Sequence, residues 1–361
     1  MGTYFSRSDL EILRALRATL IGLEDRSAGE RAPRYWGTAR DLELYDRVFA
    51  ARIGWKWDAV LDELERRGTL PRRTLPRRTL PRRTLPEGAE GTWTLLDWGT
   101  GTGVATRRVL ARTRDRGGVL PARVLLFDRD ERARAFAADS ISAEFPGVAV
   151  ATTQASDLEG MSAGDIDVAV ASHVLDELED DEVPALLGAL SRADEVIWVE
   201  PGSRATSRRL SAAREELMAA FHAVAPCTHG AACGMLAEGR ERDWCHLFAR
   251  PPAEVHTTGE WSEIHRELRI DLRSLPYSFL ALRRRGAAPA PARGVGARLL
   301  GRPRFQKGRV LLDLCDADGV RQVQMLQRSD KALFKALKET EGETVVLEVD
   351  GRSVRRVDYQ T

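Results

Sequence analysis

From Gly91 onward, apolar runs of strand length alternate with stretches of helical character, and this alternation restricts the possible folds more than any other feature of the chain. Residues 94–98, 123–127, 148–152, 167–171 and 195–199 are short, mostly apolar and rich in β-formers, with helical segments between them. Runs of that kind predict strands buried in a parallel, doubly wound α/β sheet. Residues 244–248 and 278–282 are expected to complete the sheet at one edge.

The flanks read differently. Leu10, Leu13, Leu16, Leu20 and Leu23 form a helical stripe, with Ser8 and Glu11 as a capping box. Residues 39–64 are also helical, interrupted near Gly54, Trp55 and Trp57, and the two Trp read as core anchors. Thr-Leu-Pro-Arg-Arg then repeats three times over 69–83. A proline every fifth position forbids helix, so this is an extended linker, suited either to RNA phosphates or merely to solvent. Residues 283–309 hold nine Lys or Arg and no acid, and read as a basic connector. Beyond it, 310–314, 320–326, 345–349 and 353–357 read as strands, with turns at Asp318-Gly319 and Asp350-Gly351 and a helix over 331–337. The expected organisation is a helical region over 1–68, a linker over 69–91, the α/β domain over 92–283 with a cysteine-rich loop at 226–246, a basic linker over 284–308 and a β-rich module over 309–361.

With 361 residues, 43% hydrophobic and 30% charged, the chain reads as globular rather than disordered, and its net charge of +1 selects no partner. No apolar run approaches the roughly 18 residues of a membrane span, and no secretory signal pattern opens the chain. A cytoplasmic monomer without a membrane partner is expected. Four cysteines are too few for a disulfide scaffold and suit free or metal-bound thiols.

Asp97-Trp98-Gly99-Thr100-Gly101-Thr102-Gly103 places a Gly-x-Gly-x-Gly loop between the first strand and a helix. Its backbone can turn sharply and approach a ligand, while Val104 stands where a dinucleotide fingerprint wants a third glycine. Asp97 can meet a cationic amino acid moiety, Asp128 both ribose hydroxyls, and Asp157 an adenine amino group; alternatively Asp128 and Asp157 cap helices or turns. The set resembles the S-adenosylmethionine (SAM) pocket of class I methyltransferases. Asp97, Gly99, Thr100, Gly101, Thr102, Gly103, Asp128, Asp157 and His173 are the candidate cofactor-binding residues. His173 is either a base or a packing residue, and no catalytic residue is assigned.

Cys227, Cys233 and Cys245 fall within one Gly- and Ala-rich stretch, and Cys315 ends a later strand. Four thiolates suit zinc or an iron–sulfur cluster, but five, eleven and sixty-nine intervening residues match neither a zinc-finger nor a ferredoxin rule. Ordinary buried thiols are the alternative, and His229 and His246 are further candidate ligands or supporting donors.

Taken together, the glycine loop, residues 172–178, Val199-Glu200-Pro201-Gly202, Pro226-Cys227-Thr228-His229 with Cys233, Trp244-Cys245-His246 and Leu311-Leu312-Asp313-Leu314-Cys315 resemble the ribosomal small-subunit methyltransferase-like family over about residues 92–325. The resemblance implies a class I, Rossmann-like SAM-methyltransferase fold that binds the small ribosomal subunit during assembly or translation and contacts its rRNA. It also implies a [4Fe–4S] cluster held by Cys227, Cys233, Cys245 and Cys315, with zinc as the alternative. Gly234 departs from the family's usual proline, and Thr100 and Thr102 from its usual loop residues. A catalytically active RNA or protein methyltransferase is the competing reading. A small-molecule methyltransferase with an unrelated zinc site is a third.

Overall fold

A computed structural model describes residues 3–24, 36–71, 93–273, 275–286, 296–339, 346–350 and 353–357. The chain divides into two compact units, Met1–Leu61 with Leu70–Asp194 and Ala249–Leu275, and Asp62–Thr69 with Glu195–Phe248 and Pro276–Thr361. Nearly all of the Thr-Leu-Pro-Arg-Arg repeat, and the middle of the basic stretch, lie outside the described residues.

The N-terminal helices are α1 (Arg7–Glu24), α2 (Ala39–Tyr45) and α3 (Ala51–Arg66), the last two joined by a π-helical turn over Asp46–Ala50. The cap of α1 lies two residues earlier than the spacing suggested. Ser6 Oγ accepts from the Asp9 N–H at 3.1 Å, and Asp9 answers to the Ser6 N–H. Gly54 does not interrupt α3; the Arg108 side chain fills the space where its Cβ would stand. Trp57 is fully buried, and its indole N–H donates to Ser172 Oγ at 2.9 Å.

In the first unit β1 (Thr94–Trp98), β2 (Arg123–Phe127), β3 (Ala149–Thr152) and β4 (Ile166–Ser172) pair in parallel in the order β3-β2-β1-β4. The intervening helices are α4 (Val104–Asp115), α5 (Glu131–Glu144) and α6 (Ala155–Glu159), and α7 (Val183–Leu190) follows β4. Val168, Ala169, Val170 and Ala171 are all without solvent exposure, as a doubly covered strand requires. The chain leaves β1 on one side for β2 and returns to its other side as β4. The carboxyl end of β1 is therefore a topological switch point, where α/β sheets bind ligands.

In the second unit β5 (Ala193–Pro201) and β6 (Phe221–Ala225) both pair antiparallel with β8 (Leu275–Arg284), which also carries β7 (Leu247–Ala249). Between them runs α8 (Arg204–Leu217), capped by Ser203; α9 (Gly259–Leu268) belongs to the first unit. Sequence periodicity missed β6 by reading the preceding helix through to Phe221. The five-stranded antiparallel sheet runs β11-β10-β9-β12-β13, built from β9 (Ala297–Gln306), β10 (Arg309–Asp316), β11 (Gly319–Leu326), β12 (Val346–Asp350) and β13 (Ser353–Val357), with α10 (Lys331–Glu339) between β11 and β12. Val310, Leu312 and Leu314 form the centre of its core, together with Leu299, Met325 and Phe334.

The expected linker over 284–308 is overturned in its second half, which is β9. Its positive charges suggested a solvated tether, yet a strand needs apolar residues only at alternate positions. Ala297 and Leu299 supply them, and the backbone turns at Gly301, φ 64°.

Candidate functional site

The glycine loop closes the end of β1. Gly99, Gly101 and Gly103 have φ of 73°, 51° and 78°, a region L side chains avoid. At Gly99 space forbids a side chain as well, since a Cβ would lie 2.3 Å from Val174 Cγ1. The Gly99 and Thr100 N–H groups both donate to the Phe127 carbonyl, at 2.7 and 2.9 Å, binding the loop to β2.

Asp97 is buried beneath this loop. One carboxylate oxygen accepts from Thr106 Oγ1 at 2.7 Å and Thr100 Oγ1 at 3.1 Å; the other has no partner among the described residues. Burial pushes its pKa up to about 6, the Thr hydroxyls oppose this, and the Asp128 charge adds to it. The buried oxygen without a partner is the feature that fits a bound cation. Asp128 accepts from the Gly101 N–H and the Asp130 N–H, both at 2.9 Å, so it braces the loop. Asp157 is exposed and accepts from the Gln154 N–H at 2.9 Å, capping α6. Thr102 is buried, its hydroxyl without a partner among the described residues.

His173 follows β4 with φ 55°. Its Nε2 lies 3.0 Å from Lys56 Nζ and its Nδ1 3.3 Å from Ser172 Oγ. An ammonium only donates, so Nε2 is the accepting nitrogen and the ring is neutral. Burial first, then Lys56 and Arg52, hold its pKa well below the ordinary value, which suits a fixed acceptor better than a base.

In the second unit Cys227 follows β6, Cys233 precedes a short 3-10 turn, Cys245 precedes β7, and Cys315 lies near the end of β10. All four half-buried thiols line one cavity of about 40 Å³, together with Arg214, His229 and Arg298. That exceeds the roughly 10–15 Å³ one water requires. Burial, and after it the neighbouring thiols, push Cys245 and Cys315 up to about 12, with Arg298 opposing in both. Cys315 Sγ lies 3.6 Å from His229 Nε2, and His229 Nδ1 has no partner among the described residues. His246 lines a different cavity.

Two buried arginines flank the thiols. Arg214 contacts the Cys227 sulfur and donates to the His229 and Ala231 carbonyls, fixing the loop. Arg298 grips both oxygens of Glu63, at 2.8 and 3.2 Å, and the Pro226 carbonyl at 2.8 Å. Arg67 meets the same carboxylate at 2.8 Å. Sequence reading missed this triad; a Glu and an Arg four apart on a helix look like a solvated pair.

Among the described residues, no group of three or more His, Cys, Asp or Glu is arranged to hold a metal ion. Four thiols are the donor set of both zinc sites and iron–sulfur clusters.

Gly234 explains its own departure from proline. A Cβ there would lie 2.7 Å from the Val320 backbone N, against the β10–β11 turn. Gly234→Ala is expected to cost roughly 1–3 kcal/mol by overpacking, read as a lowered thermal midpoint; an unchanged midpoint would show that the turn yields.

A family model described as mitochondrial small ribosomal subunit Rsm22 matches residues 93–343, more than half of the chain. No curated protein matches. Among solved structures, the chain resembles a Pyrococcus horikoshii protein assigned as an RNA methyltransferase, at 14% identity over 74% of this chain and 98% of that one, TM-score 0.35. It also resembles magnesium protoporphyrin IX methyltransferase from Synechocystis PCC 6803, solved with SAH, at 13% identity over 76% and 99%, TM-score 0.36. These scores are low, and the class I methyltransferase fold is read from the chain's own topology, with β3-β2-β1-β4 parallel in one unit and β8 antiparallel between β5 and β6 in the other.

Proposed function

Because the chain belongs to the mitochondrial small ribosomal subunit Rsm22 family, we propose that it binds the small ribosomal subunit and its rRNA as a SAM-binding protein carrying a [4Fe–4S] cluster. The observation that carries the cluster is the convergence of all four cysteines on one cavity between Arg214 and Arg298. Cys227, Cys233, Cys245 and Cys315 hold the iron, and the two guanidiniums offset the negative charge of thiolate ligation. The cluster acts structurally, tying the five-stranded sheet to the loop that follows β6. Anaerobic purification with iron, sulfide and visible absorption measured together tests this, and a colourless protein without sulfide would refute it. Cosedimentation with small subunits tests the partner.

SAM binds at the switch point, its cationic amino acid end toward Asp97 and the loop N–H groups close to it. The unpartnered Asp97 oxygen supports this reading. SAM brings an activated methyl group; the chain's own residues bind and orient it. The same oxygen favours a second reading, turnover on an RNA or protein acceptor, which labelled methyl transfer to subunits or rRNA distinguishes from binding alone.

A pH dependence follows. A carboxyl raised to about 6 keeps its proton in the native state above the unfolded value of about 4. Its contribution to stability therefore falls as pH rises through that window, while the carboxylate that attracts a cation is complete only above it. SAM affinity is expected to rise as pH passes through about 6. In calorimetry Asp97→Asn should weaken binding roughly 10- to 100-fold and flatten that profile. A profile equally steep in the variant would remove Asp97 from the site.

A further inference from the structure

The second unit contains another cavity, of about 440 Å³, within the range of small-molecule pockets. Trp244 and His246 line it and stack with ring centroids 4.8 Å apart at 20°. The Trp244 N–H is anchored to the Gly202 carbonyl at 3.0 Å, so the indole is fixed rather than free to turn. Arg240, Arg304 and Arg321 line the same cavity. Each is held by a carboxylate: Arg304 by both oxygens of Asp313 at 2.8 and 3.0 Å, Arg321 by Asp316, Arg240 by Asp243.

We propose that this cavity binds a nucleotide of single-stranded RNA, the base stacking on Trp244 and the phosphate engaged by Arg304 and Arg321. The inference rests on the reading that the protein contacts RNA. A fixed aromatic plane beside guanidinium forks is the chemistry by which proteins hold unpaired bases. An acidic peptide would use the arginines and leave the aromatic pair idle. A duplex offers backbone but no exposed base face. Asp313, which with Asp243 also lines the cavity, does not keep Arg304 from a phosphate. Ion pairs as exposed as Arg304 with Asp313, 54% and 39%, contribute little, whereas a phosphate takes a bidentate charge-assisted pair.

The test uses the full chain, a labelled single strand of about ten nucleotides, the same sequence as a duplex, and AMP and GMP as competitors. Trp244→Ala should weaken single-strand binding roughly 10- to 100-fold, and Trp244→Phe should restore much of it. Arg304→Glu, at an exposed position, should reduce affinity and lower the salt slope by about one. Visible absorption of each variant checks that the neighbouring Cys245 site is undisturbed. The proposal is overturned by a wild type that ignores the strand, by duplex bound equally well, by mononucleotides that compete as strongly per site as the strand, or by Trp244→Ala and Arg304→Glu both binding like wild type. Cosedimentation of the wild type with small subunits separates the two readings. Sedimentation without an effect of Trp244 or Arg304 on the strand sinks this site alone, and strand binding through Trp244 without sedimentation sinks the ribosomal reading alone.

Discussion

Replacing Cys315 by serine is expected to leave an anaerobically purified protein without bound iron, sulfide or visible absorption, and to open the C-terminal sheet to protease. The reasoning runs through β10. Its residues Val310, Leu312 and Leu314 point into the core of the sheet, so Cys315, one position on, faces the other way and lines the thiol cavity. In register it stands opposite Arg298 of β9 and Val320 of β11. A hydroxyl is a poor ligand for iron, while its similar size leaves that packing intact. Cys227→Ser should lose the same iron from the loop side. Iron and sulfide retained in full by Cys315→Ser would show that the thiol is an ordinary half-buried side chain, and the proposed tie would fall with it.

Glu63→Gln is expected to be the most destabilising conservative change in the second unit, costing about 3–5 kcal/mol, or roughly 10 °C in the thermal midpoint. Glu63, Arg67 and Arg298 are 2%, 4% and 3% exposed. One buried carboxylate is shared by two buried guanidiniums. Removing Glu63 deprives both arginines of their shared counter-charge in a low-dielectric setting. Arg298→Met instead leaves the Glu63–Arg67 pair balanced, and should cost less than half as much. Equal midpoints for the two variants would mean that losing the shared carboxylate costs no more than losing one guanidinium.

The parallel half of the fold was legible because it depends on pattern alone. Buried stretches such as residues 168–171 are apolar throughout, and glycines at 99, 101 and 103 mark the turn that leaves β1. Elements that depend on tertiary context were not legible. Phe221-His222-Ala223-Val224-Ala225 has no helix-ending signal before it, and pairing with β8 decides its state. In β9 the charges at 302 and 304 obscured an alternation that only β10 completes. At the sites, spacing could nominate four cysteines but not bring sixty-nine intervening residues back to one cavity. Asp157, by contrast, followed its local capping chemistry. The nucleotide-sized cavity had no linear signature, since its arginines come from three separate segments of the chain.

The outward face of β10 gives the chain a single point of phase control. Asp313 borders one cavity and Cys315 the other, two positions apart on the same side of one strand. Deleting any one residue between Val310 and Asp313 would rotate both outward side chains inward and drive Leu312 or Leu314 out. The proposed inorganic centre and the proposed RNA contact would be lost together in one frameshift of pairing. A variant that kept either would have to have absorbed the deletion at the β9–β10 register shift between Leu311 and Asp313 or at the Gln306–Arg309 or Asp316–Gly319 turn.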